Sequence, residues 1–165
     1  LESFDNLEVV EFSSPSDHAT YADRGMSLPN ERLAPNQEFS GQRFAVSRQS
    51  ESEWNPYMGS SSLRVRETLI ADASGGAGWV NIIEATGDHD TSDFSPNPLT
   101  AEDSPEFLLW FVLQGTGAIT HHNQVITLEP RDAIVCPYGY SHETAFALTD
   151  FHEGFKVLEI GLNNR

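Results

Sequence analysis

The chain is poor in cysteine, in positive charge and in long apolar runs, and each shortage removes a class of protein. Cys136 is the one cysteine and cannot close a disulfide within the chain, so nothing in the covalent framework calls for an oxidising compartment. Nine Lys and Arg stand against 25 Asp and Glu, a formal net charge of -16. Phosphate backbones and anionic lipid attract Lys/Arg patches and repel carboxylates, so this balance excludes nucleic acid and membrane as partners. A small molecule, a cation or another protein fits the charge. So acidic a surface also fits a salty habitat, which concerns solubility rather than chemistry. No apolar stretch approaches the roughly 20 residues of a membrane span. The acidic start LESFDNLEVVEF has none of the positive charge of a signal peptide, so a soluble, cytoplasmic protein is expected.

What is present is enough for one domain. The 165 residues are 38% hydrophobic and 10% aromatic, and a domain of about 150 residues buries roughly 68–70% of its unfolded surface. Residues 1–50 are rich in Ser, Asn, Pro and charge and read as an extended N-terminal arm, with Leu7 to Phe12 as a short strand. Residues 51–165 change character. Short strand-like runs follow one another: SLRVRETLI, GWVNIIEA, FLLWFVLQ, GAIT, QVITL, DAIVCP, ETAFAL and FKVLEIGL. Turn signals separate them, among them SGGAG, GDHDTSD, HHNQ, EPRD and PYGY. No run supports an independent helix of about 12 residues, so the expected class is all-β, a sandwich or barrel. The acidic, Pro-containing stretch from Gly87 to Ser104 reads as a long loop, either a lid or a surface insertion.

The segment FVLQGTGAITHHNQVITLEPRDAIVCPYGYSHETAF resembles the second half of the cupin barrel. The Val-Leu-X-Gly turn of that family matches Val112, Leu113, Gln114 and Gly115. Its Pro-X-Gly-X-X-His matches Pro137, Gly139 and His142, with Asp132 in the usual Asp place. The resemblance spans roughly residues 62 to 162 and implies an RmlC-like, single cupin-type jelly-roll β-barrel. It departs from the family at the first motif. The Glu place falls on Leu108, the His-X-His place falls within Ala101 to Ser104, where there is no histidine, the glycine of the second motif is Arg131 and its terminal Asn is Phe146. The family's three-His, one-Glu cage therefore does not carry over.

Independently of the name, Pro137 ends a strand, Gly139 allows a turn, and alternation sends His142 and Phe146 to one face. In metal-binding cupins the His at that place is a ligand, and the resemblance implies the same for His142. Two readings of the site stay open. In one, His142, Glu106 and His89, with Asp90 and Asp93 nearby in the loop, hold a divalent Fe, Mn, Ni or Zn, and Tyr138 or Tyr140 donates a proton or orients substrate. Glu106 enters because it lies two residues before Leu108 and shares its side of the strand. In the other, there is no metal, and a pocket lined by Trp110, Val112, Phe146 and Trp79 uses His142 and Glu106 as its few polar groups, for binding or for acid/base chemistry.

The remaining eye-catching residues have plain readings. His121 and His122 fall in a two-strand turn, His152 in another connection, His18 in the arm, Cys136 reads as a small buried hydrophobe and Trp54 as an anchor at the start of the barrel. By resemblance, the long arm implies a homodimer. The substrate is not encoded in the fold, which hosts oxygenases, isomerases, lyases and binding domains alike.

Overall fold

A computed structural model describes residues 8–14, 38–39, 41–87, 105–121, 124–137 and 147–163. Backbone proximity divides the chain into two compact units, Leu1–Ala34 and Pro35–Arg165. In the first, residues 8–14 form no strand and are exposed, Val9 to 63%. The strand expected at Leu7 to Phe12 is absent over its described part because the adjacent Val9 and Val10 point to opposite sides, leaving neither face consistently apolar.

The second unit is built of antiparallel strands. A two-residue hairpin joins β1 (Glu38–Phe39) to β2 (Gln42–Arg43). Then come β3 (Asn55–Pro56), β4 (Leu63–Glu67), a single helical turn α1 (Ile70–Ala73), β5 (Gly78–Ala85), β6 (Phe107–Gln114), β7 (Gly117–His121), β8 (Gln124–Leu128), β9 (Ala133–Pro137), β10 (Ala147–Phe151) and β11 (Lys156–Leu162). The long strands are rich in β-branched and aromatic residues, as pleated half-buried surfaces favour. The strand expected through Ile70 stops at Glu67, because Thr68 turns both its amide and its hydroxyl onto the Val80 carbonyl and the chain winds into α1. No described helix is long and apolar enough to cross a membrane.

One sheet has six strands in the order β3-β4-β5-β11-β6-β9, and another has three in the order β10-β7-β8. No ladder among the described residues closes on itself. The two sheets share one core. Leu63, Val65, Ile83, Ala85, Val112 and Val157 of the large sheet pack with Ile119, Leu128, Leu148 and Phe151 of the small one, joined by Tyr57, Trp110 and Phe155.

Three tight turns carry the chain between the sheets: Gly115–Thr116, Glu129–Asp132 and His152–Phe155. They cluster at one end. Gly115 has φ +74, and a Cβ there would sit 2.9 Å from the Phe155 Cα, so glycine is required on both counts. In the second turn the Arg131 amide donates to the Val112 carbonyl, and the Asp132 carboxylate accepts from the Glu129 amide at 2.8 Å. Arg131 holds φ +81, a left-handed conformation uncommon outside glycine. The turn itself explains why a glycine occupies that place in the motif this segment resembles.

On the outer face of the large sheet, Arg64, Glu84 and Lys156 stand in register on β4, β5 and β11. Arg64 Nε donates to Glu84 Oε2 at 2.9 Å, Lys156 Nζ lies 2.8 Å from Glu84 Oε1, and the Arg64 guanidinium sits 4.5 Å from the centre of the Trp54 ring. Burial pushes the Glu84 carboxyl up, but the hydrogen bonds and positive charges of Lys156 and Arg64 outweigh it and hold the group below its ordinary value. A carboxyl depressed on folding stabilises above its unfolded pKa of 4.5 and loses that contribution as pH falls through the folded value. Glu84→Gln is therefore expected to cost about 1 kcal/mol near neutral pH, with the gap from the parent closing on acidification. Thermal unfolding of both proteins between pH 7 and pH 3 checks this, and a gap that widens below about pH 4.5 contradicts it.

Candidate functional site

Residues opposite one another in antiparallel strands share a face, so the register of the large sheet writes its inner surface out in rows. Nearest the crossover turns lie Leu63 and Ala85, then Val65, Ile83, Val157 and Val112, all buried. The next row is different: Glu67, Asn81, Glu159, Trp110 and Ile134. Beyond it lie Trp79, Gly161 and Leu108. The core is thus apolar at the closed end and turns polar toward the other.

Glu159 is 6% exposed and is the buried charged residue among those described. Burying a carboxylate is costly unless its oxygens are hydrogen-bonded. Tyr57 Oη donates to Oε1 at 2.8 Å, Trp110 Nε1 donates to the same oxygen at 3.2 Å, and Asn81 Nδ2 donates to Oε2 at 3.0 Å. All three donors are neutral, so among the described residues the carboxylate is solvated by protein dipoles rather than by a counter-ion. Beside it, Trp79 of β5 lies against Gly161 of β11, and a Cβ at position 161 would fall inside the indole ring. Glycine there is what lets Trp79 lie flat on the inner wall.

Of the residues singled out in the sequence, Trp110 and Val112 are buried at 1% and 0% on this inner face. Trp79 is half-buried on the same face, separated from them by β11. Glu106 lies just ahead of β6, its amide donating to the Leu162 carbonyl, and its residue is exposed. His142, Tyr138, Tyr140, Phe146, His89, Asp90 and Asp93 lie outside the described residues. The backbone nevertheless fixes where their motif departs: Pro137 pairs with Phe107, beside the row of Leu108, Gly161 and Trp79. Among the described residues no three His, Cys, Asp or Glu side chains are grouped as metal ligands.

No family model matches the chain, and no curated protein matches it. Solved structures do. KdgF from Halomonas sp. is 13% identical with a TM-score of 0.51, covering 74% of this chain and 96% of that one. An RmlC-like cupin from Shewanella frigidimarina is 11% identical with a TM-score of 0.48, covering 76% and 96%. Pac13, a nucleoside dehydratase, is 14% identical with a TM-score of 0.48, covering 74% and 85%. The chain has the fold of an RmlC-like cupin.

In this chain the place of the first-motif Glu in the resembled family is Leu108, half-buried one row beyond Trp110. The carboxylate on the inner wall comes instead from Glu159, on the neighbouring strand and one row deeper. Reading motif by motif passes over this residue, because it stands in a run, KVLEIGL, with no motif of its own. The available signal was its position. A lone acid in the middle of an apolar run is a candidate for the buried face of its strand, where it must find partners inside.

Proposed function

We propose that this cupin binds a small organic molecule between its sheets, at the polar end of the core. The observation that carries this reading is Glu159, a buried carboxylate held by Tyr57, Trp110 and Asn81 on an otherwise apolar inner wall. Small-molecule sites have that composition: mostly apolar surface with a few fixed polar groups that orient the ligand. Trp79 adds a half-buried aromatic surface beside it. Strand β9 ends with Pro137 at the same end of the sheet, and Tyr138, Tyr140 and His142 follow it in the sequence.

The described residues do not supply a cupin-type metal set. Glu106 is exposed, Leu108 has no ligating atom, and Glu159 is engaged by three neutral donors. The test is metal analysis of protein purified without chelator, beside His142→Ala, together with thermal-shift screening of a metabolite library. The proposal expects less than stoichiometric metal and a stabilising metabolite. Stoichiometric iron, manganese, nickel or zinc that disappears in His142→Ala overturns the metal-free reading and restores the atypical metalloenzyme, an oxygenase, lyase or isomerase.

A further inference from the structure

Strand β3 covers the edge of β4 for two residues only, Asn55 against Val65 and Pro56 against Arg64. The ladder on the other side of β4 shows which backbone groups this leaves open. The Thr68 N–H donates to the Val80 carbonyl and the Thr86 N–H to the Ser62 carbonyl, so Ser62, Arg64, Arg66 and Thr68 turn their backbone groups toward β5. The residues between them point theirs the other way. Val65 meets Asn55 there, while the Glu67 N–H and C=O on that side have no hydrogen-bond partner among the described residues. Ahead of Asn55 the chain stands away from β4: it makes a single turn at Gln49–Glu51 and is tied back where the Leu69 amide donates to Ser47 Oγ at 2.6 Å. The detour encloses a cavity of about 350 Å³, lined on one side by Glu67, Thr68 and Leu69 and on the other by residues between Ser47 and Asn55. Ligand clefts start at roughly 300 Å³. Around this one stand Glu51, Glu53 and Glu67 against Arg48, whose Nε lies 3.8 Å from Glu51. Neither Glu53 nor Glu67 has an ion-pair partner among the described residues.

We infer that this cavity binds a lysine or arginine residue of an extended peptide, which takes the open ladder place opposite Glu67. A segment that adds to an open sheet edge gains main-chain hydrogen bonds, and its side chains supply the specificity. Here the bound residue's N–H donates to the Glu67 carbonyl and its C=O accepts from the Glu67 N–H, the exchange of a hydrogen-bonded antiparallel pair. Directly opposite residues carry their side chains on the same face, so the basic side chain meets the exposed Glu67 carboxylate. Glu51, Glu53 and a formal net charge of -16 favour the same sign. The inference does not depend on a ligand between the sheets.

Three probes separate the two parts of the inference. Nα-acetyl-arginine amide carries both the charge and the backbone groups, Nα-acetyl-glutamate amide keeps the backbone and reverses the charge, and Nα-acetyl-Nα-methyl-arginine amide keeps the charge and loses the N–H. In assigned ¹H–¹⁵N spectra of the full chain, the arginine probe is expected to move the Glu67, Thr68 and Leu69 amide signals saturably and to slow hydrogen exchange at Glu67. The other two should bind at least about tenfold more weakly. Glu67→Lys, an exposed change at the end of β4, should weaken the arginine probe about tenfold or more. A methylated probe that binds as well as its parent overturns the ladder pairing. A glutamate probe that binds as well, or unchanged arginine binding in Glu67→Lys, overturns the charge rule. Either result overturns the inference, and no saturable shift at Glu67, Thr68 and Leu69 overturns the site itself. If Glu67→Lys does not fold, the three probes on the unaltered protein decide.

Discussion

Replacing Glu159 with leucine is expected to lower stability by about 3 kcal/mol, whereas glutamine at the same place should cost about 1 kcal/mol. Two effects compete in the leucine variant. It removes a carboxylate that is expensive to keep dry, which favours the change, and it strips partners from Tyr57 Oη, Trp110 Nε1 and Asn81 Nδ2, which opposes it. Each buried polar group left unpaired costs about 1–3 kcal/mol. Tyr57 and Trp110 are 4% and 1% exposed, so water cannot replace what they lose, while the half-buried Asn81 recovers part of its bonding from solvent. Two full penalties and part of a third outweigh the recovered desolvation. Glutamine avoids them, since its amide oxygen still accepts from Tyr57 and Trp110 and its NH₂ meets a turned Asn81. Urea unfolding at pH 7 with unchanged m-values measures both; a leucine variant as stable as the parent would show that the donors do not depend on the carboxylate.

Phe151→Ala is expected to cost about 4 kcal/mol, lowering Tm by roughly 10 °C. Phe151 is 0% exposed at the end of β10, in the layer shared by the two sheets. Gly117, its partner on β7, is packed too: a Cβ there would come within 3.1 Å of the Phe155 ring. Close-packed walls of this kind relax little into a void, so the cavity term adds to the lost transfer energy. Against a typical domain stability of about 5–15 kcal/mol this is a large fraction. Val135→Ala, on the outer face of edge strand β9 with 52% exposure, is the control and should stay within about 0.5 kcal/mol. Calorimetry of the pair checks the contrast, and equal losses at the two positions would contradict the shared core.

The strands were legible because their cause is local. GWVNIIEA and FLLWFVLQ became β5 and β6 with the expected limits, since β-branched and aromatic runs bounded by turn residues leave few alternatives. The turn glycine Gly115 was legible for the same reason. At Arg131 the sequence departed from its resemblance while the backbone kept the left-handed turn, so the side chain changed and the geometry did not.

The carboxylate of the site was a different matter. Glu106 was chosen by alternation, counted back from Leu108 along a strand assumed to continue, but β6 begins at Phe107 and Glu106 stands exposed outside it. Glu159 lies 49 residues after Trp110 and 102 after Tyr57, the residues whose hydrogen bonds hold it. By itself the sequence determined an all-β chain, its strands, its turns and a charge that repels anions, because period, turn chemistry and net charge are properties of neighbours and of sums. Only the tertiary structure decided which acid is buried and what surrounds it, because the register of β11 between β5 and β6 brings Asn81, Glu159 and Trp110 into one row, and register is set by packing across the whole sheet.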